Sequence, residues 1–175
     1  MKHTLVALME DRPGVLTRVV SLFRRRNFNI ESIAVGHTET PGISRMTLVV
    51  DGSDSVVEQV TKQLYKLINI RKVSDVSEDP TVDRELALIR VSARPSSRVE
   101  IMQIADVFRA KIVDVAPTSL MLEATGAEDK IESLISMLRS YGIKEMVRTG
   151  KVSMLRGSAV PKDTGNGSST NGSKA

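Results

Sequence analysis

The sequence predicts an α+β chain: two ferredoxin-like βαββαβ sandwich domains followed by a disordered C-terminal tail. Three observations predict it. Short apolar or alternating runs of strand length are interleaved with segments whose apolar residues recur at helical spacing. The order strand, helix, strand, strand, helix, strand occurs twice. Between the two sets lies Ser77-Glu78-Asp79-Pro80-Thr81, polar and proline-bearing as a domain boundary should be.

In the first half, His3 to Met9 reads as a short buried strand. Pro13 and Gly14 open a helix with apolar residues at Val15, Leu16, Val19, Val20, Leu22 and Phe23, and Asp11 is placed as its cap. Ile30 to Val35 is a strand, Thr40-Pro41-Gly42 a turn, and Ser44 to Val50 a strand with Met46, Leu48 and Val50 on one face. Gly52 to Asn69 is a helix with Val56, Val57, Val60, Leu64, Leu67 and Ile68 at helical spacing, and Arg71 to Val76 closes the unit.

The second half repeats the pattern. Leu86 to Val91 is a strand, and Pro95 and Ser96 precede a helix with Ile101, Ile104, Ala105 and Phe108 on one face. Lys111 to Val115 and Leu120 to Ala124 are strands around the turn Pro117-Thr118. Glu128 to Ser140 is a helix with Ile131, Leu134, Ile135 and Leu138 inward, and Ile143 to Val147 closes the unit. The domains are therefore drawn at 1–76 and 85–156, with a linker at 77–84. The tail, 157–175, is rich in Gly, Ser, Asn and Thr and cannot bury enough surface to offset its ordering entropy.

Composition narrows the function. With 41% apolar and 26% charged residues, the chain reads as a globular protein. It lacks the long apolar run of a membrane span and a signal-peptide pattern, so the cytoplasm is the expected location and no membrane partner is expected. There are no cysteines, which excludes disulfides, thiolate catalysis and cysteine-bound zinc. The net charge of +4 is spread along the chain and aromatics make up only 3%, a poor base-stacking surface. The two histidines, His3 and His37, lie on separate strands without ligand spacing; they are expected to be partly exposed, and no metal site is expected. No nucleophile elbow, P-loop or dinucleotide fingerprint is present, so no catalytic residue is assigned.

The most informative stretch is Glu10-Asp11-Arg12-Pro13-Gly14-Val15-Leu16, where a strand gives way to a helix. A helix N-terminus offers free amides and a partial positive charge, suited to a carboxylate. Gly14 allows close approach to the backbone, and Asp11 could pair with an ammonium group. Together these acceptors describe a free amino acid. Asp-x-Pro-Gly is equally an ordinary helix start, and the residues alone leave both readings open.

The segment EDRPGVLTRVVSLFRRRNFNIESIAVG resembles the ACT domain, a ferredoxin-like module that binds amino acids at interfaces between domains. The run NFNIESIAVGHTETPGISRMTLVV resembles the small subunits of acetolactate synthase, and the second half, with FRAKIVDVAP, is similar to that family's C-terminal domain. The resemblance covers about Lys2 to Arg156. It implies a non-catalytic regulatory subunit that binds a large catalytic subunit, activates it, and imposes feedback inhibition by valine or another branched-chain amino acid. Thiamine diphosphate, magnesium and FAD would belong to the large subunit. The effector would lie between the ACT domains of a homodimer: Asp11, Gly14, Val15 and Leu16 from one protomer, Asn29 and Ile30 from the other. Many relatives carry Asn where this chain has Asp11; the added charge favours an ammonium and disfavours a carboxylate.

Two rivals follow from the same pattern. An ACT-type sensor for another enzyme or regulator would suit the first half, but the family-like second half argues against it. RNA-recognition domains share the strand–helix order, yet the middle strands offer Val113, Met121 and Leu122 where that class needs exposed aromatics, so no nucleic-acid partner is expected.

Overall fold

The structure, a computed structural model, describes residues 1–157. The expected tail lies outside the described residues apart from Gly157. The chain divides into two compact units, the first over Met1–Pro80 together with the described residues from Leu155 on, the second over Thr81–Met154.

The first unit runs β1 (Lys2–Glu10), α1 (Val15–Arg26), β2 (Ile30–His37), β3 (Ile43–Asp51), α2 (Asp54–Tyr65) and β4 (Ile70–Asp75). Its antiparallel sheet has the order β2-β3-β1-β4, which leaves β2 and β4 as edges. The alternation of β1 puts Leu5, Ala7 and Met9 under the helices, where they meet Val15, Val19 and Phe23 of α1 and Val57, Val60 and Leu64 of α2. Burying these side chains, at roughly 1.5–3 kcal/mol each, drives the unit together.

Helix α1 stops where Asn27 turns left-handed (φ 55°). The Phe28 amide then donates to the Phe23 carbonyl at 3.1 Å, and the two rings meet edge to face at 6.0 Å. Helix α2 is shorter than its apolar spacing predicts. The Lys66 and Leu67 amides bond three residues back, to Gln63 and Leu64, tightening the last turn so that β4 can begin at Ile70.

The second unit runs β5 (Thr81–Ser92), α3 (Arg98–Val107), β6 (Lys111–Ala116), β7 (Ser119–Gly126), α4 (Glu128–Leu138), a 3-10 turn at Arg139–Tyr141, β8 (Ile143–Arg148) and β9 (Val152–Leu155). Its sheet has the order β6-β7-β5-β8, and β9 pairs with β5. All four inward positions expected on α4 are buried.

Two features differ from the sequence expectation. Strand β5 begins at Thr81, inside the linker drawn at 77–84. Strand β9 is additional, and Ser153 Oγ donates to Asp83 Oδ1 at 2.6 Å. The polar start of β5 is held by this distant partner, which local alternation does not reveal.

Candidate functional site

The turn between β1 and α1 is tied to its surroundings on both sides. The Glu10 amide donates to the Asn69 carbonyl at 2.9 Å and the Asp11 amide to the Gly42 carbonyl at 2.8 Å. Gly14 occupies the helix N-cap in the left-handed region (φ 84°, ψ −9°), a conformation glycine adopts without steric cost. A Cβ placed there would meet nothing within 4 Å, so the space over Gly14 is open. The Val15 amide donates weakly to the Arg12 carbonyl at 3.4 Å, and its side chain is buried in the core. The other first-turn amides, Leu16 among them, have no intrahelical acceptor because no earlier turn exists. The Leu16 side chain is 43% exposed.

Asp11 does not cap the helix, contrary to the sequence expectation. The N-cap is Gly14, which has no side chain to cap with, and the left-handed turn leaves Asp11 upstream of the first-turn amides. The Asp11 carboxylate instead faces His37 Nδ1 at 3.1 Å, both side chains standing in solvent.

Beside this turn lies a network the sequence did not announce. Arg18 Nη1 donates to Asn69 Oδ1 at 2.7 Å, Asn69 Nδ2 donates to Glu10 Oε2 at 2.9 Å, and Arg71 Nη2 donates to Glu10 Oε1 at 2.6 Å. Arg12 Nε lies 3.5 Å from the same carboxylate. The hydrogen bond from Asn69, with the nearby Arg12 and Arg71 charges, holds the Glu10 carboxyl below the ordinary glutamate range. Arg12 and Arg71 thus face Glu10 directly, and Arg18 reaches it through Asn69. The available signal was register: Met9 of β1 pairs with Ile70, which brings Asn69 and Arg71 to the end of β1.

Asn29 and Ile30 lie elsewhere. Ile30 pairs with Val50, and Val50 with His3, so both residues belong to the end of the sheet where β1 begins. Glu10 pairs with Ile43 at the opposite end. The twelve-residue α1 separates the two sets by about 18 Å. Within one chain the structure therefore brings Asp11, Gly14, Val15 and Leu16 together and leaves Asn29 and Ile30 apart.

The histidines also differ from expectation. His37 is exposed at the end of β2, but the His3 side chain is only 6% exposed. The reason is register: His3 shares the helix-facing side of β1 with Leu5, Ala7 and Met9. Among the described residues no group of three His, Asp or Glu side chains could hold a metal ion, and no helix is long and apolar enough to cross a membrane.

A βαββαβ unit with an open glycine turn at its first helix, followed by a second unit of the same strand order, makes a paired ferredoxin-like chain. The family models make the first unit an ACT domain. Residues 5–72 match the ACT domain of acetohydroxyacid synthase small subunits, and residues 84–157 match the small subunit of acetolactate synthase. A probable acetolactate synthase small subunit from Archaeoglobus fulgidus is 58% identical over 157 residues, spanning 90% of this chain and 98% of the relative. The acetolactate synthase small subunit of Mycolicibacterium smegmatis is 54% identical over 155 residues, 89% of this chain and 91% of the relative. The crystal structure of the small subunit from Thermotoga maritima superposes with a TM-score of 0.83 at 41% identity, covering 91% of this chain and 99% of that one. The chain belongs to the family of acetolactate synthase small, regulatory subunits.

Proposed function

We propose that this chain binds the large catalytic subunit of acetolactate synthase in the cytoplasm, raises its activity, and imposes feedback inhibition by valine or another branched-chain amino acid. In this reading the chain supplies no catalytic group. Thiamine diphosphate, magnesium and FAD are held by the large subunit.

One observation supports the effector site most directly. Asp11 and Gly14 to Leu16 stand about 18 Å from Asn29 and Ile30 along α1, so in this reading a second copy supplies the other half. The flank that would meet that copy is suited to it. Strand β2 is a sheet edge, and Ile33 and Val35 on it are exposed. On α1, Leu16 is 43% and Val20 46% exposed, although both belong to the apolar spacing of the helix. Covering the same surface in both protomers gives a closed two-fold dimer.

In the closed pocket the amino acid's carboxylate takes the first-turn amides near Gly14, with the guanidinium groups around Glu10 adding attraction. Asp11 takes the ammonium. Asn29 of the second copy donates and accepts, and Leu16 and Ile30 wall the branched side chain. Effector binding regulates only through its difference in affinity for the active and inhibited packings of the two domains.

The test is calorimetric titration of the chain with valine, leucine, isoleucine and an unrelated amino acid, repeated with Gly14→Asp and Asn29→Ala. Aspartate tolerates the left-handed conformation better than most residues and puts a carboxylate where the ligand's own must go. Saturable valine binding lost in both variants, with activation of the catalytic subunit retained, is the expected result. Full valine sensitivity in Gly14→Asp counts against the pocket.

A further inference from the structure

The turn from β1 into α1 and the turn from β2 into β3 form one junction. The Asp11 amide donates to the Gly42 carbonyl at 2.8 Å, and Met9 and His37 both pair with Ser44. The β2–β3 turn is closed by Thr38. Its amide donates to the Ile43 carbonyl at 3.1 Å and its Oγ1 donates to the same carbonyl at 2.9 Å. The Thr40 amide donates to that Oγ1 at 3.1 Å. Asp11 and His37 therefore stand on two backbones that are bonded to each other. The 3.1 Å contact between Asp11 Oδ2 and His37 Nδ1 follows from that junction. Among the described residues, His37 is the ion-pair partner of the Asp11 carboxylate.

The contact matters because the proposed pocket asks Asp11 to hold an ammonium. A neutral imidazole donates one N–H and leaves the carboxylate's net charge in place. An imidazolium supplies the counter-charge itself, and an arriving ammonium meets a neutralised pair. The other charged groups at the junction are carboxylates and guanidinium groups. On the β1–α1 turn, Glu10 is taken by Asn69, Arg12 and Arg71, and Arg18 of α1 is bonded to Asn69. On the β2–β3 turn, the charge of Glu39 bears on Arg45 of β3. As classes, these groups titrate far from neutrality, whereas an imidazole titrates close to it. The other histidine, His3, lies at the far end of β1.

We propose that His37 is a positioning residue of the effector pocket: through Asp11 it weakens amino-acid binding when its imidazole takes up a proton. The inference rests on the effector reading and adds a regulation to that site. Acidification then relieves feedback inhibition at a fixed amino-acid concentration.

The test is calorimetric titration of the full chain with valine, leucine and isoleucine at about pH 7.5 and about pH 5.5, either side of the ordinary imidazole range. Free amino acids keep both charges across that interval. In the wild-type chain, affinity at the lower pH is about threefold weaker, the size of an exposed ion pair. The His37 side chain is 86% exposed, so its substitution leaves the core untouched. His37→Gln keeps an N–H donor without a titrating charge, and it binds at both pH values as the wild type does at the higher one. His37→Lys carries the charge throughout and binds weakly at both. A purely structural role would weaken both variants alike. Equal wild-type affinity at the two pH values overturns the inference and leaves the effector pocket standing. So does a pH dependence that persists in His37→Gln. No saturable binding at either pH overturns the effector reading and this inference with it.

Discussion

The two units share the element order and the antiparallel strand order, yet they treat the turn into the first helix in opposite ways. In the first unit that turn holds Gly14 in the left-handed region with open space above it. In the second, the Arg98 side chain folds back over the turn. Its Nη2 donates to the carbonyls of Ala116 at 2.8 Å, Pro117 at 2.9 Å and Ala93 at 3.3 Å. The first turn stays open, and the second is closed by its own chain. One fold thus gives an open turn and a closed one, and the difference lies in which residue stands at the strand–helix corner. The helix ends vary in the same spirit. After α1 the left-handed residue is Asn27, with Phe23 and Phe28 in contact; after α3 it is Arg109 (φ 52°), and the Ala110 amide donates to the Ala105 carbonyl at 2.8 Å.

The comparison breaks hardest at Arg148. This side chain, 26% exposed, donates to both Glu85 and Glu132, and the Glu85 side chain is only 6% exposed. Arg148→Ala leaves the Glu85 charge buried and unpaired, a loss of about 3 kcal/mol. Urea unfolding followed by hydrogen exchange checks it: protection should fall across β5, β7 and β8 while the first unit keeps its own. A loss spread equally over both units would show that they do not unfold separately.

The next effect is at the sealed turn. Arg98→Ala removes the donor shared by three carbonyls, two of them on the β6–β7 turn, and should cost about 2 kcal/mol. The second unit then acquires an open turn like the first. Amino-acid binding should not appear there, because the corner still lacks a left-handed glycine and a second half of the pocket. Calorimetric titration of this variant with valine, in the Gly14→Asp background, decides the point.

Much of this contrast was legible in the sequence, for physical reasons that vary by element. Strand alternation and helical stripes fixed the order of elements, because each buried face repeats at its own period, as the four buried positions of α4 do. The glycine corner was legible because so few residues suit that turn. What escaped depended on partners far along the chain. His3 sits in an apolar run, and its burial follows from α2 lying over the start of β1. Asn69 and Arg71 reach Glu10 only through the pairing of β1 with β4. Strand β9 is four residues long, too short for any period to show. Asp11 fitted a cap by type and lost the role to Gly14, whose backbone angles no residue pattern states.

A smaller effect sharpens the comparison at the open corner. Gly14→Ala puts a Cβ into free space but forces an L-residue to φ 84°, a cost of about 1 kcal/mol. Chemical denaturation should show that loss in the first unit only. If the corner is a ligand site, valine affinity should fall by more than this strain explains, since the methyl group occupies the approach to the amides.

The smallest effect is electrostatic. Glu10 has a folded-state pKa below its unfolded value, chiefly through the hydrogen bond from Asn69 and then through Arg12 and Arg71. Its contribution to stability is therefore present above the unfolded pKa, about 4.3, and is lost as pH falls through the folded value. Glu10→Gln removes the charge at every pH. The wild-type chain should exceed the variant in stability at neutral pH, and the gap should close as the solution is made acidic. Salt should narrow the gap as well, because the guanidinium groups of Arg12 and Arg71 are largely exposed. A gap that stays constant down to acid pH would take the carboxylate's charge out of the stabilisation and leave it to the shape of the Asn69 hydrogen bond, which Gln can also accept.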